Sequence, residues 1–306
     1  LWLPRKMNDT IRKNLSRVKE LVDHDVQHTP EGTPLFNWLE LSPIDRCNRS
    51  CTFCPRSDPS VAPNQSLLMT PGLYRKLASE LGELNYEGTV MLAGYGEPML
   101  SKHLEDMIQV FAPVSRVEVV TNGDCLTREK LEKMAAAGVD LVLISLYDGP
   151  DQIDDFQNLV SNSDVPEGLV VLRDRWYRED VDFGLKLTNR AGTVRIGQQA
   201  EIDISQPCYY PHYSMMIDWN GNAYLCPQDW QRRRISGNVM LHSLLDVWTS
   251  KELKQCRKKL GGGNRNMDPC QNCNADGTLH GYKHKIAWDE YYLGSNVPRA
   301  EQFACT

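Results

Sequence analysis

Short apolar runs alternate with amphipathic segments from about Leu35 to Thr188. Phe36 to Ser42 reads as a strand. Thr70-Pro71 predicts a helix start: a threonine cap, a proline at the first helical position, then an apolar stripe of Leu73, Leu77 and Leu81. Thr89 to Ala93 is a predicted strand, and Leu104, Met107, Ile108 and Phe111 share one face of a predicted helix. Val117 to Thr121 is a further strand. A helix follows from Thr127, with Gly138 as a left-handed stop. Leu141 to Ser145 is almost wholly apolar, as in a strand buried on both faces. Leu169 to Leu172 and Phe183 to Thr188 are weaker strand patterns. Repeated strand–helix units imply a parallel sheet, and right-handed crossovers would curl it into an open or closed barrel. After about Gly192 the rhythm changes. A hairpin is expected (Met215 to Asp218, Asn220-Gly221, Ala223 to Cys226), then one helix near Leu245 to Leu260 and a glycine-rich turn.

The chain has 306 residues, and 41% are hydrophobic, enough for a substantial core. No apolar run approaches the roughly 18 residues of a membrane-spanning helix, and the first twenty residues lack the apolar centre of a signal peptide. A cytoplasmic protein is expected. The formal charge of −6 argues against nucleic-acid or anionic-membrane partners. Arg232, Arg233 and Arg234 form the main basic run, which reads as a solvated turn, with a phosphate-binding role as the alternative. Ten cysteines in a reducing compartment point to metal rather than disulfides.

Three of them, Cys47, Cys51 and Cys54, are spaced Cys-x3-Cys-x2-Cys directly after the first strand. That spacing cannot lie on one helical face, but it can wrap a loop around a cubane cluster and leave one iron open for chemistry. A zinc site, the alternative, would recruit a fourth nearby ligand, and none follows closely. The segment resembles the radical S-adenosylmethionine (SAM) superfamily. The resemblance implies a partial (β/α)6 barrel with a SAM-chelating 4Fe–4S cluster on these three cysteines and Phe53 near the adenine. Gly94-Tyr95-Gly96-Glu97-Pro98, one strand–helix unit later, resembles the family's Gly-Gly-Glu-Pro motif for the SAM amino group, with Tyr95 where a second glycine is usual. Asn122, in Thr121-Asn-Gly-Asp124, and Ser145 resemble positions that touch SAM; an Asn-Gly turn is the plainer reading of the former. Arg173 could pair with the SAM carboxylate or be a surface arginine.

Cys208, Cys226, Cys270 and Cys273 resemble the shortened ("twitch") form of the SPASM auxiliary-cluster domain. This implies a second, fully ligated 4Fe–4S cluster; a four-cysteine zinc site is the alternative. From Asp45 to about Asn274 the chain resembles the 2-deoxy-scyllo-inosamine dehydrogenase family. Asn189-Arg190-Ala-Gly192 stands where that family has a substrate-contacting arginine, making Arg190 a substrate candidate, with a plain loop arginine as the alternative. Gln228 replaces an acidic residue, and Leu146 to Pro166 does not match. The resemblance implies abstraction of hydrogen from a carbinol carbon of a sugar, aminoglycoside or cyclitol, followed by oxidation to a ketone. It also implies a flavodoxin or ferredoxin-type electron donor. Radical epimerisation is the rival, with Cys256 as hydrogen-atom donor unless it is simply a small buried hydrophobe. Cys125 and Cys305 are weaker donor candidates. Peptide modification and a non-enzymatic zinc module are further alternatives. The expected organisation is a helical extension (1–34), a partial barrel (35–200), the auxiliary module (201–290) and a tail (291–306).

Overall fold

A computed structural model describes residues 9–175, 188–196 and 201–294. The chain opens with helix α1 (Asp9–Val22) and then alternates β1 (Trp38–Leu41), α2 (Pro71–Glu83), β2 (Thr89–Leu92), α3 (Leu104–Phe111), β3 (Arg116–Thr121), α4 (Arg128–Ala137), β4 (Leu141–Leu146), α5 (Asp151–Ser161) and β5 (Val170–Asp174). A short α6 (Tyr210–Tyr213) leads into β6 (Ser214–Ile217), β7 (Asn222–Tyr224) and β8 (Ile235–Asn238), followed by α7 (Leu244–Trp248), α8 (Lys251–Gly261) and α9 (Tyr282–Gly294).

The predicted caps form as the side chains dictate. Thr70 accepts from the Leu73 N–H and Thr127 from the Lys130 N–H, while Gly138 ends α4 with φ +96°. Leu73, Leu77 and Leu81 of α2 and the apolar face of α3 are buried in the main core. The predicted single helix near Leu245 to Leu260 is instead two: Thr249 ends α7, and Ser250 caps α8 by accepting from the Leu253 N–H. Three helices went unexpected or were placed only broadly. In the N-terminal extension α1 spans Asp9–Val22. The Leu146 to Pro166 segment, which does not match the family, contains α5. The C-terminal helix α9 runs across the expected boundary at 290, because Trp288 and Tyr292 are buried against Trp248 and α8. The Phe183 to Thr188 strand, but for Thr188, and Cys305 lie outside the described residues.

The eight strands of the described residues form one sheet in the order β5-β4-β3-β2-β1-β6-β7-β8. β5 through β1 and then β6 run parallel, and β7 and β8 are antiparallel additions. The auxiliary segment therefore continues the barrel sheet across β1, whose Glu40 sits level with Met91 on one side and Met216 on the other. Leu39 and Leu41 of β1 face the helices and are fully buried, which turns Trp38 and Glu40 to the opposite, interior side. Among the described residues no helix is long and apolar enough to cross a membrane.

Candidate active site

The loop after β1 carries Cys47, Cys51 and Cys54, all half-buried and free of disulfides. Asp45 shapes its start by accepting from the Leu67 N–H (2.7 Å). Asn64 brackets Cys47, accepting from its N–H and donating to its carbonyl, each at 2.9 Å. Arg49 ties the loop to two others: it donates to Asp124 after β3 (2.6 and 2.5 Å) and to Asp148 after β4 (2.8 and 2.6 Å). Its guanidinium also lies 5.4 Å from the Tyr147 ring centre, and Tyr147 stacks on Phe53 at 5.5 Å. These charge-assisted bonds pull the Asp148 carboxyl below its ordinary pKa.

The motif after β2 passes very close to this loop. Gly94 has φ +84°, and a Cβ there would stand 2.6 Å from the Ser42 Cβ; at Gly96 it would meet the Ile44 carbonyl at 2.1 Å. Only glycine lets the Glu97 N–H reach the Arg46 carbonyl (2.8 Å). The Glu97 carboxylate is buried and accepts from the Thr121 hydroxyl (2.7 Å), the Asn122 N–H (2.9 Å) and the Met99 N–H (3.0 Å). Burial pushes its pKa up and these bonds oppose the rise. Asn122 donates to Asn48 (2.8 Å) and approaches the Cys47 sulfur (3.9 Å), which joins the ends of β1 and β3 at the cysteine loop. Pro98 is buried behind Glu97.

Tyr95 departs from the family glycine for a structural reason. Its hydroxyl donates to the Asp229 carbonyl (3.0 Å), and its ring packs edge-on against Trp230, Trp219 and Tyr224 of the auxiliary segment. Its side chain is thus directed away from the cysteine loop, and its carbonyl accepts from Arg56.

Ser145 is fully buried and accepts from the Arg173 guanidinium (2.8 Å), so Arg173 is an interior rather than a surface arginine. Burial pulls its pKa down to about 9, helped by the neighbouring Arg175. Glu40 was missed by sequence reasoning, being a lone acid in an apolar strand. Burial raises its pKa, while the Arg190 and Arg173 guanidiniums and the Gly94 N–H work against that rise. Arg190 sits in a left-handed backbone (φ +46°), as do Ala191 (φ +53°) and Gly192 (φ +89°). Asn189 holds this strained turn by donating to the Asn272 carbonyl (2.8 Å) and accepting from the Asn274 N–H (3.3 Å), on either side of Cys273. The same turn delivers the Arg190 charge to Glu40 and Cys54.

Cys208, Cys226, Cys270 and Cys273 line one cavity with Ala191, Gln228, Leu260 and Arg265. Burial pushes the Cys208 thiol up to about 11 and the Cys51 thiol to about 12, so ligation has to displace protons. Among the described residues, no three His, Cys, Asp or Glu side chains converge as a single ion requires. Four thiols lining one cavity fit a thiolate-ligated cluster. So does Arg265, a buried cation on the cavity wall that sequence reasoning also missed, since a single arginine beside glycines carries no motif. Cys256 on α8 is 1% exposed, and its thiol lies 3.9 Å from the Glu252 carboxylate.

Comparison with known proteins agrees with this geometry. A radical SAM superfamily model matches residues 41–174, and a SPASM iron–sulfur cluster-binding domain matches residues 208–274. The S-adenosyl-L-methionine-dependent 2-deoxy-scyllo-inosamine dehydrogenase of Niallia circulans is 28% identical over 245 residues, covering 78% of this chain and 93% of that protein. The crystal structure of BtrN in complex with AdoMet and 2-DOIA superposes with a TM-score of 0.68 at 26% identity, over 81% of this chain and 98% of BtrN. Native anSMEcpe with bound AdoMet shares the fold at 14% identity, with a TM-score of 0.52 over 85% of this chain and all (100%) of that one. The chain thus carries a radical SAM domain over residues 41–174 and a SPASM-type iron–sulfur cluster-binding domain over residues 208–274.

Proposed function

We propose that this radical SAM enzyme oxidises a ring hydroxyl of an aminocyclitol or related polyol to a ketone. When bound, SAM and a 4Fe–4S cluster on Cys47, Cys51 and Cys54 supply a 5′-deoxyadenosyl radical that abstracts a carbinol hydrogen atom. The chain's own residues orient the reactants and exclude water. Gly94, Gly96, Glu97 and Pro98 form the close-packed turn beside the cysteine loop, and the Tyr95 side chain anchors it. Asn122, Ser145 and Arg173 are the polar groups on the neighbouring strand ends, and Phe53 stacked on Tyr147 offers an aromatic face.

The observation that carries the substrate reading is the position of Arg190. Its loop is fastened to the residues flanking Cys273, yet its charge acts on Glu40 and on Cys54 in the other cysteine loop. A polyol lying between the two sites would meet a cation, Arg190, and an acceptor, Glu40. Cys208, Cys226, Cys270 and Cys273 would hold the auxiliary cluster within reach of the same space. The epimerase alternative is not favoured: the relative that aligns over most of the chain is a dehydrogenase, and the donor candidate Cys256 is buried on α8. A flavodoxin or ferredoxin-type protein is the proposed reductant.

The test is anaerobic incubation with SAM, dithionite and a panel of aminocyclitols that includes 2-deoxy-scyllo-inosamine. One member should raise 5′-deoxyadenosine formation at least tenfold over the substrate-free rate. Arg190→Ala should abolish that stimulation while leaving the substrate-free rate intact. Loss of both rates would assign Arg190 to SAM instead, and no stimulation by any member would refute the substrate class.

A further inference from the structure

We propose that Arg265 is the residue that sets the reduction potential of the auxiliary centre, holding it high enough to accept an electron. This rests on the reading above, in which Cys208, Cys226, Cys270 and Cys273 hold a cluster. Arg265 is 2% exposed and lines the cavity formed by those four cysteines. Its Nε donates to the Gln206 carbonyl (2.8 Å) and its Nη2 to the Pro207 carbonyl (2.9 Å). Its Nη1 donates to the Ala275 carbonyl (2.9 Å) and, more weakly, to the Cys273 carbonyl (3.4 Å). The Gln206 side-chain oxygen lies at 3.5 Å from Nη2.

Every one of these partners is neutral. Among the described residues no carboxylate lies within ion-pair distance of Arg265, whereas Arg49, Arg233 and Arg234 each have one. The one carboxylate its charge is shown to act on, Asp203, is exposed and beyond ion-pair distance, so the buried guanidinium is poorly compensated, and a cluster ligated by four thiolates would supply a buried negative charge. The hydrogen bonds fix the cation beside the cavity by way of residues 206 and 207, just before Cys208, and residues 273 and 275. The arrangement does two things at once. It closes the ligand loops around one arginine, and it places one fixed positive charge on the cavity wall. A fixed cation stabilises the cluster's more negative, reduced state over its oxidised state, which raises the potential. The redox change is a single electron taken up by the cluster, with no proton transferred at Arg265.

The test uses the full chain with Cys47, Cys51 and Cys54 changed to alanine, so that only the auxiliary centre contributes iron and a paramagnetic signal. Arg265→Gln keeps an amide donor without charge, and Arg265→Lys keeps the charge without the planar fork. Redox titration followed by electron paramagnetic resonance should put Arg265→Lys close to the parent. Arg265→Gln should be about tenfold harder to reduce, about 59 mV lower. Equal shifts in both variants, or no shift in either, would overturn the proposal and leave Arg265 a structural staple. An independent check needs no Arg265 variant. In the parent chain grown with isotopically labelled arginine, double resonance of the reduced centre should detect a weakly coupled arginine nitrogen, and its absence would also overturn the proposal. A parent chain that binds no iron would instead refute the cluster reading beneath it.

Discussion

Tyr95 joins the glycine-rich turn to the auxiliary segment, so the two parts of the chain should share stability through it. Two substitutions separate its hydroxyl from its ring. Tyr95→Phe leaves the buried Asp229 carbonyl without the 3.0 Å bond it accepts. That should cost about 1–2 kcal/mol. Tyr95→Gly restores the family's double glycine but empties a space walled by Trp230 at 5.0 Å and by Trp219 and Tyr224 at about 6 Å. Truncating a buried aromatic costs roughly 3–5 kcal/mol, and the added backbone freedom about 0.5–1 more. The expected total, about 4–6 kcal/mol, is a large share of the roughly 5–15 kcal/mol that holds a folded domain together. Urea unfolding of the apo-protein, followed by tryptophan emission, reads this directly because two of the wall residues are tryptophans. Midpoints should fall in the order wild type, Tyr95→Phe, Tyr95→Gly. A Tyr95→Gly protein within about 1 kcal/mol of wild type would refute the argument and return Tyr95 to the role of a tolerated spacer.

Three further outcomes are expected. Reconstituted protein should bind about eight irons per chain, and the triple alanine variant of Cys47, Cys51 and Cys54 about half of that, with no SAM cleavage, as iron analysis and product chromatography would read. Arg49→Ala removes the partly exposed double clamp to Asp124 and Asp148. It should cost about 1–2 kcal/mol and speed loss of iron from the first site, measured by the decay of visible absorbance in chelator. Burial lowers the pKa of His284 to about 3, against an unfolded value near 6.5. The neutral folded form then contributes stability that is fully present above pH 6.5 and is lost progressively as pH falls toward 3. Between pH 7.5 and 5 the loss should be about 2 kcal/mol in chemical unfolding, and His284→Phe should reduce it.

Much of this was legible because local chemistry and tertiary structure agree. Thr70-Pro71 and Thr127 with Gly138 satisfy helix ends by themselves, and the Cys-x3-Cys-x2-Cys spacing leaves few ways to place three thiolates. The break between α7 and α8 was also written locally, in Thr249-Ser250, but the apolar positions on both sides masked it. The apolar residues of α5, Ile153, Phe156 and Leu159, follow helical spacing, yet none is fully buried, so the pattern is weak. Glu40 and Arg265 could not be found by motif. Each matters only through neighbours far along the chain: Glu40 through Gly94, Arg173 and Arg190, and Arg265 through carbonyls on either side of the ligand loops. The shared sheet was hidden for the same reason, since nothing in β1 announces that both β2 and β6 will pair with it.

The most direct test of the central claim is the mass and isotope content of the product formed from the stimulating aminocyclitol in deuterated water. Oxidation predicts a product two hydrogens lighter than the substrate, one 5′-deoxyadenosine per product, and no solvent deuterium on the carbon that reacted. A product of unchanged hydrogen count carrying one deuterium at that carbon would contradict the account, because the carbon radical would then have been quenched by an exchangeable donor instead of being oxidised.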